Sequence, residues 1–319
     1  AKRDFKKDKL GYIAFQIKMV RHGSTFGPFP VGWVASMLGT AAAAVIAPLA
    51  AFFSGAFQTI GAARAASDAA AGVVRDMGLA LAGTAQALPM DATQAPAVLA
   101  AAAAVWAEAD TLAIVGESGD AWRDRSFVAS GQSQTTTEIV TRVAAVIEAM
   151  VDAAAPADLA REIAALTDYA PPTAIAGQAP SWFREQANAE ALATVLRVTA
   201  LARWVEAVAG QAYTDRRSAI QARADIAEAV DAELSRIAGP GAHGLAVALA
   251  ELRGRAVELL TRRIADLAPI LALEAPREMP SLWWSNRLYG TAARAGEIAK
   301  LNRVRHPSFL PRQIEALAR

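Results

Sequence analysis

The sequence has no cysteine. Disulfide frameworks, thiolate metal sites and thiol nucleophiles are thereby excluded. Its three histidines, His22, His243 and His306, lie far apart and show no paired ligand spacing, so neither a zinc site nor a histidine-based hydrolase is expected. No Ser/His/Asp arrangement, phosphate loop or supported pair of carboxylates is present, and the expectation is a protein that is not an enzyme and uses no cofactor or metal. Large side chains are scarce, with 10 Phe, 7 Trp and 4 Tyr as the aromatic anchors of 319 residues. The net charge is only +1, so bulk electrostatics select no partner. No stretch reads as a secretory leader, and the first residue is Ala.

What is abundant is alanine, which supplies much of the 54% apolar content. Alanine is the best helix former but buries little surface, so the composition predicts helices more firmly than a large core. The few charges are unevenly placed. Residues 1–30 carry seven basic against two acidic residues, residues 31–120 two against seven, and residues 277–319 eight against three. Basic ends around an acidic region suggest charged neighbours.

Along the chain, Ile13, Phe15, Ile17 and Met19 alternate with polar positions and predict a half-buried strand with no obvious partner elsewhere in the sequence. Residues 31–57 are uncharged and apolar enough by length to span a membrane, but Pro48 and three glycines dilute the run, and a packed helical hairpin is expected there. Helices follow over 61–87 and 97–115. A polar loop over 116–134 holds Glu117, Asp120 and Asp124 at a spacing that fits no calcium loop. Thr135 and Glu138 form a capping box that would open the next helix. Residues 171–180, bounded by prolines, read as the main linker. Helices over 187–209, 214–238 and 245–267 complete the series. The G-x-G-x-x-G spelled by residues 239–244 follows a helix rather than a strand, so it reads as a turn and not as a dinucleotide site. The expected fold is mainly α, organised as an N-terminal strand (1–24), an Ala-rich helical region (25–170), a helical bundle (181–275) and a small C-terminal element (276–319).

That last element is the most specific part of the sequence. Trp283, Trp284 and Tyr289 crowd together, Ser281 is placed to cap a short helix that Gly290 ends, and residues 292–301 form a second helix closed by a left-handed Asn302. His306-Pro307 and Leu310-Pro311 then impose an extended loop. The residues Arg287, Leu288, Tyr289 and Gly290, then Glu297, Ile298 and Asn302, then Arg303, Arg305, His306, Pro307, Phe309 and Pro311 resemble the C-terminal signature of the Mu-like phage tail proteins of the DNA-circularisation family. More loosely, the run is similar to the LysM-like module of contractile-tail baseplate proteins. The chain ends in RQIEALAR, without the glycine and closing strand that such a module would carry. Residues 200–311 carry most of the resemblance. Members of the family have a β domain before the helices, and GYIAFQIKMVRHG looks like its last strand.

The resemblance implies a structural component of a phage tail baseplate. Such a protein would link the tail tube or hub to surrounding wedge proteins as a homo-oligomer, made in the bacterial host cytoplasm and carried in the virion. The expected interaction residues are Ile13, Phe15, Ile17 and Met19 on the strand and Trp283, Trp284, Arg287, Tyr289, Asn302, Arg305, His306 and Phe309 in the C-terminal element. An alternative is a membrane-active helical protein that uses residues 31–57 during genome delivery. DNA contact, which the family's name suggests, is less favoured, because helical DNA readers carry a denser basic face.

Overall fold

The computed structural model describes residues 31–57, 64–117, 125–172, 182–237, 241–267, 269–275 and 277–318. The expected N-terminal strand with Ile13, Phe15, Ile17 and Met19 lies outside these residues, as do Asp120 and Asp124 of the carboxylate cluster. The chain is mainly α. Its helices are α1 (Val31–Ala44), α2 (Ile46–Ala56), α3 (Arg64–Ala87), α4 (Ala95–Glu117), α5 (Arg125–Ala153), α6 (Pro156–Thr167), α7 (Trp182–Gly210), α8 (Arg216–Arg236) and α9 (Ala242–Asp266). A compact C-terminal unit follows, made of β1 (Ile270–Glu274), α10 (Ser281–Tyr289), α11 (Ala295–Leu301) and β2 (Gln313–Leu317).

The helical body is built around α7. From Asn188 to Ala209 this helix buries residues on every side, including Leu192, Val195, Leu196, Val198 and Val205. A helix apolar around its circumference must sit inside others, and α1, α2, α3, α5, α6, α8 and α9 all pack on it. Its polar positions are satisfied internally: Thr194 and Thr199 donate to the carbonyls of Glu190 and Val195 four residues earlier. Arg197 is 4% exposed and its Nε lies 3.0 Å from an oxygen of Glu233 on α8, itself 2% exposed; its remaining donors reach Glu190 and the carbonyl of Tyr169. Burial works against that guanidinium charge, but Glu233 and Glu190 outweigh it and hold its pKa raised. At the end of α7, Arg263 donates to the carbonyls of Ala209 and Gln211, and Tyr213 to that of Val208, which supplies partners for the last turn.

Residues 31–57 form one kinked rod and not the expected hairpin. Pro48 has no N–H for the carbonyl of Ala44, so the helix breaks at Val45 and restarts with Pro48 in the first turn of α2, where the missing donor is tolerated. Leu38, Val45, Leu49, Phe53 and Phe57 then line one buried side. At the α3–α4 contact Gly78 allows close approach: a Cβ there would lie 3.4 Å from the backbone nitrogen of Trp106.

Three further expectations are corrected. Helix α5 begins at Arg125, so Thr135 and Glu138 sit within a helix and open nothing. The residues before and after 171–180 contribute to one continuous core, running from Leu38 through Val146 and Leu196 to Leu260, so that linker does not separate two bundles. The third correction concerns the C-terminal unit, which starts at Ile270 and closes with a strand. β1 and β2 pair antiparallel from Ile270 opposite Leu317 to Glu274 opposite Gln313. The expected link before Ser281 thus contains one strand, and RQIEALAR supplies the other. The resulting βααβ unit has its own small core of Ala275, Trp284, Tyr289, Ile298, Leu310 and Ile314.

Candidate functional site

The C-terminal unit collects eight of the residues expected to interact, and the structure sorts them into two groups. Tyr289, Asn302 and Trp284 face inward. The Tyr289 hydroxyl donates to the carbonyl of Leu317 at 2.8 Å, and the Arg294 guanidinium lies 3.9 Å above its ring. Asn302 does not take the left-handed conformation; its φ is −87°, and Arg303 adopts φ 51° instead. The Asn302 side chain donates to the carbonyls of Ile298 and Glu315, each at 2.8 Å, and accepts the Glu315 N–H at 2.7 Å. One amide therefore plays the part of a neighbouring strand toward β2 while closing α11. Trp284 is buried in the small core, edge-on to Trp283 at 5.1 Å between ring centroids, with its indole N–H unpaired.

Trp283, Arg287, Arg305, His306 and Phe309 face outward. Ser281 is not a cap. It is the first residue of α10, its side chain is buried, and its N–H donates to the carbonyl of Pro307 at 2.7 Å. The Leu310 N–H reaches the carbonyl of Met279. These two bonds draw the loop bearing Arg305, His306 and Phe309 to the end of α10 that carries Leu282 and Trp283. Arg287 lies one turn beyond Trp283 on the same helical face. The rings of His306 and Phe309 are 5.6 Å apart, and Phe309 is 69% exposed. Gly290, at φ 71°, ends α10 as its sequence predicts.

Sequence reasoning missed Leu282, which is as open as its aromatic neighbours. Only its helical phase, two positions before buried Trp284, could have marked it. It also missed how the charges are divided. Glu297 pairs with Arg294, and Glu315 with Arg217 of α8. Arg277, Arg287, Lys300, Arg303, Arg305 and Arg312 are exposed, with no carboxylate at ion-pair distance among the described residues. The unit therefore presents apolar and aromatic groups beside unneutralised guanidinium groups, a composition enriched in protein contact surfaces.

Elsewhere the structure offers little for chemistry. Among the described residues no cluster of three metal-ligating side chains occurs. A cleft of about 660 Å³ beside Pro171, Trp182 and Phe183 includes Glu190 and Arg236, but both are engaged in ion pairs with Arg197 and Glu233. Fold and site together define a mainly helical protein that carries a small βααβ module with an exposed aromatic and basic face. No protein-family model matches the chain, and no curated protein matches it.

Proposed function

We propose that this chain is a structural component of a phage tail baseplate, and that its C-terminal unit is a LysM-like docking module joining the tail tube or hub to surrounding proteins. The observation that supports the reading is the division of the signature residues. Tyr289, Gly290 and Asn302 build the module, whereas Arg287, Arg305, His306 and Phe309 stand on its surface and contribute little to its own fold. Exposed aromatic and arginine side chains of this kind act as anchors when a partner covers them. In this reading the protein works as a homo-oligomer within the virion after synthesis in the host cytoplasm, and it has no enzymatic role.

The test is the mass of the purified protein by light scattering, alone and with the tube and hub proteins of the same phage. A ring-sized oligomer or a stable complex supports the role, and a monomer indifferent to both removes it. The membrane-active alternative has one feature in its favour: Ala35–Ala56 is long and apolar enough to cross a membrane. Its large side chains Leu38, Leu49 and Phe53 are nevertheless packed into the body, which favours the structural reading. Partitioning into liposomes without unfolding would reverse that preference. Contact with DNA would show as an affinity that falls steeply with salt.

A further inference from the structure

The two-stranded sheet has one closed edge and one open edge. Ala275 donates to the carbonyl of Arg312, and Ala318 to that of Pro269, each at 2.8 Å. Antiparallel pairs alternate between bonded and non-bonded, so Leu271 and Leu273 are also bonded to β2, and the N–H and C=O groups of Ile270, Ala272 and Glu274 point away from it. On the β2 edge, Asn302 takes both outward groups of Glu315, and the Tyr289 hydroxyl takes the Leu317 carbonyl. No group among the described residues bonds the outward groups of β1. Sheet edges are normally blunted by a lysine, a proline, a bulge or a covering element. β1, Ile-Leu-Ala-Leu-Glu, carries neither lysine nor proline, and it pairs with β2 residue for residue without a bulge. Ala272 and Glu274 are exposed, and Leu271, on the face turned toward the small core, is 46% exposed.

We propose that β1 of a second copy of this chain adds to the free edge, antiparallel and in a register centred on Ala272. The strand is complementary to itself in that register. A twofold axis at Ala272 sets it opposite the partner's Ala272, and sets Ile270 and Glu274 opposite the partner's Glu274 and the partner's Ile270. Every outward N–H and C=O then meets an outward partner group, and each opposed pair exchanges two hydrogen bonds. Shifting the register by one residue would instead oppose these groups with ones already bonded to β2. Glu274 is the only charged residue of β1, and the axis places the two carboxylates at opposite ends of the contact, so no like charges face each other. Leu271 falls opposite the partner's Leu273 at a non-bonded position, where side chains approach most closely, and its exposed surface is covered. The axis stands normal to the sheet, so both small cores lie on one side of a four-stranded sheet, past the size at which a sheet is only marginally stable. The outer edges of that sheet are the two β2 strands, plugged by Asn302 and Tyr289, so the association closes at two copies and does not run on as a fibre. This pairing rests on β1 alone and not on the baseplate reading.

The chain has no cysteine, so one engineered thiol reports alone. In the full chain, Ala272→Cys sets two thiols across the axis at a Cα separation of about 5.5 Å, within disulfide reach. In Glu274→Cys, also exposed and on the same face, the two positions stand roughly 14 Å apart. Mild oxidation is expected to link Ala272→Cys into dimers at least about tenfold faster than Glu274→Cys. Equal rates, or no dimer, overturn the proposal. Ala272→Lys sets two ammonium groups against each other at the axis, and at an exposed position it leaves the fold in place. Light scattering is expected to give the unsubstituted protein twice the mass of this variant; equal masses overturn the pairing. Hydrogen exchange distinguishes a second copy from any other occupant of the edge. The amides of Ile270 and Glu274 are expected to be protected in the unsubstituted protein and to exchange at least about tenfold faster in Ala272→Lys, with Leu271 and Leu273 slow in both. Protection of Ile270 and Glu274 in a monomer means that another segment holds the edge, and overturns the proposal as well. Binding to the tube and hub proteins is read separately, so this pairing and the baseplate role can each fail alone.

Discussion

Replacing Asn302 by alanine would open the C-terminal unit while leaving the helical body intact. The substitution removes three hydrogen bonds, those from Asn302 Nδ2 to the carbonyls of Ile298 and Glu315 and that from the Glu315 N–H to Asn302 Oδ1. A net hydrogen bond contributes about 1 kcal/mol, and a buried group left unpaired costs about 1–3 kcal/mol. Glu315 is only half-buried, so water can reach some of the freed groups and the lower value applies to each bond. The sum is about 3 kcal/mol, or on the order of a hundredfold in the population of the opened unit. Asn302→Asp keeps an acceptor for the Glu315 N–H but sets a carboxylate against two carbonyl oxygens, and should cost at least as much. Because the small core of Trp284, Ile298 and Ile314 is separate from the body, the loss should be local. Native-state hydrogen exchange reads it directly: the β2 amides should speed up on the order of a hundredfold, with those of α7 unchanged. A change below about threefold at β2, or an equal loss in α7, would refute the reasoning.

Arg197→Met should destabilise the body by about 2–3 kcal/mol in chemical denaturation, because it leaves the buried Glu233 carboxylate with only the partly exposed Arg236 as its partner; adding Glu233→Leu should recover much of the loss, and a neutral single variant would show that the pair is not buried in solution. High pH should unfold the protein through its buried tyrosines. Burial pushes the Tyr213 hydroxyl up to about 12, and burial together with the bond to Asp76 also raises Tyr169, so both stay protonated in the fold. Their contribution is complete below the ordinary tyrosine value of about 10 and is lost as pH rises from there through the folded values. Circular dichroism should show this alkaline loss, and Tyr213→Phe should reduce it. Trp284→Phe removes an indole N–H that has no partner and should cost less than about 1.5 kcal/mol in urea unfolding, against about 3–5 kcal/mol for Trp284→Ala.

The helices were legible because alanine, apolar periodicity and breakers such as Pro171 and Gly290 are local signals. The two strands were not. ILALE and QIEAL consist largely of helix formers, and their extended form comes from flanking Pro269 and Pro311 and from pairing across some forty residues of chain. The role of Asn302 was hidden for the same reason, since its main partner, Glu315, lies on a strand that the sequence did not reveal. In the candidate site, the aromatic cluster could be found by composition, but which of two adjacent tryptophans faces outward depends on the phase of α10 against its core. The burial of Arg197 was equally invisible, because an arginine in a helix otherwise reads as solvent-facing.

The central claim is that the exposed face of the C-terminal unit docks a tail protein while its interior only holds the fold. The most direct measurement is light scattering of the purified protein with the tube and hub proteins, comparing the unsubstituted chain with Trp283→Ala/Phe309→Ala. Phe309 is 69% exposed, so its substitution should change stability by no more than about 0.5 kcal/mol, whereas Trp283 is 39% exposed and edge-on to Trp284, so its loss should cost about 0.5–1.5 kcal/mol, and circular dichroism of the variant checks that the unit stays folded. The account predicts a complex with the unsubstituted chain and an affinity at least about tenfold weaker with the variant. Equal binding by both proteins, or a monomer that binds neither partner, would contradict it.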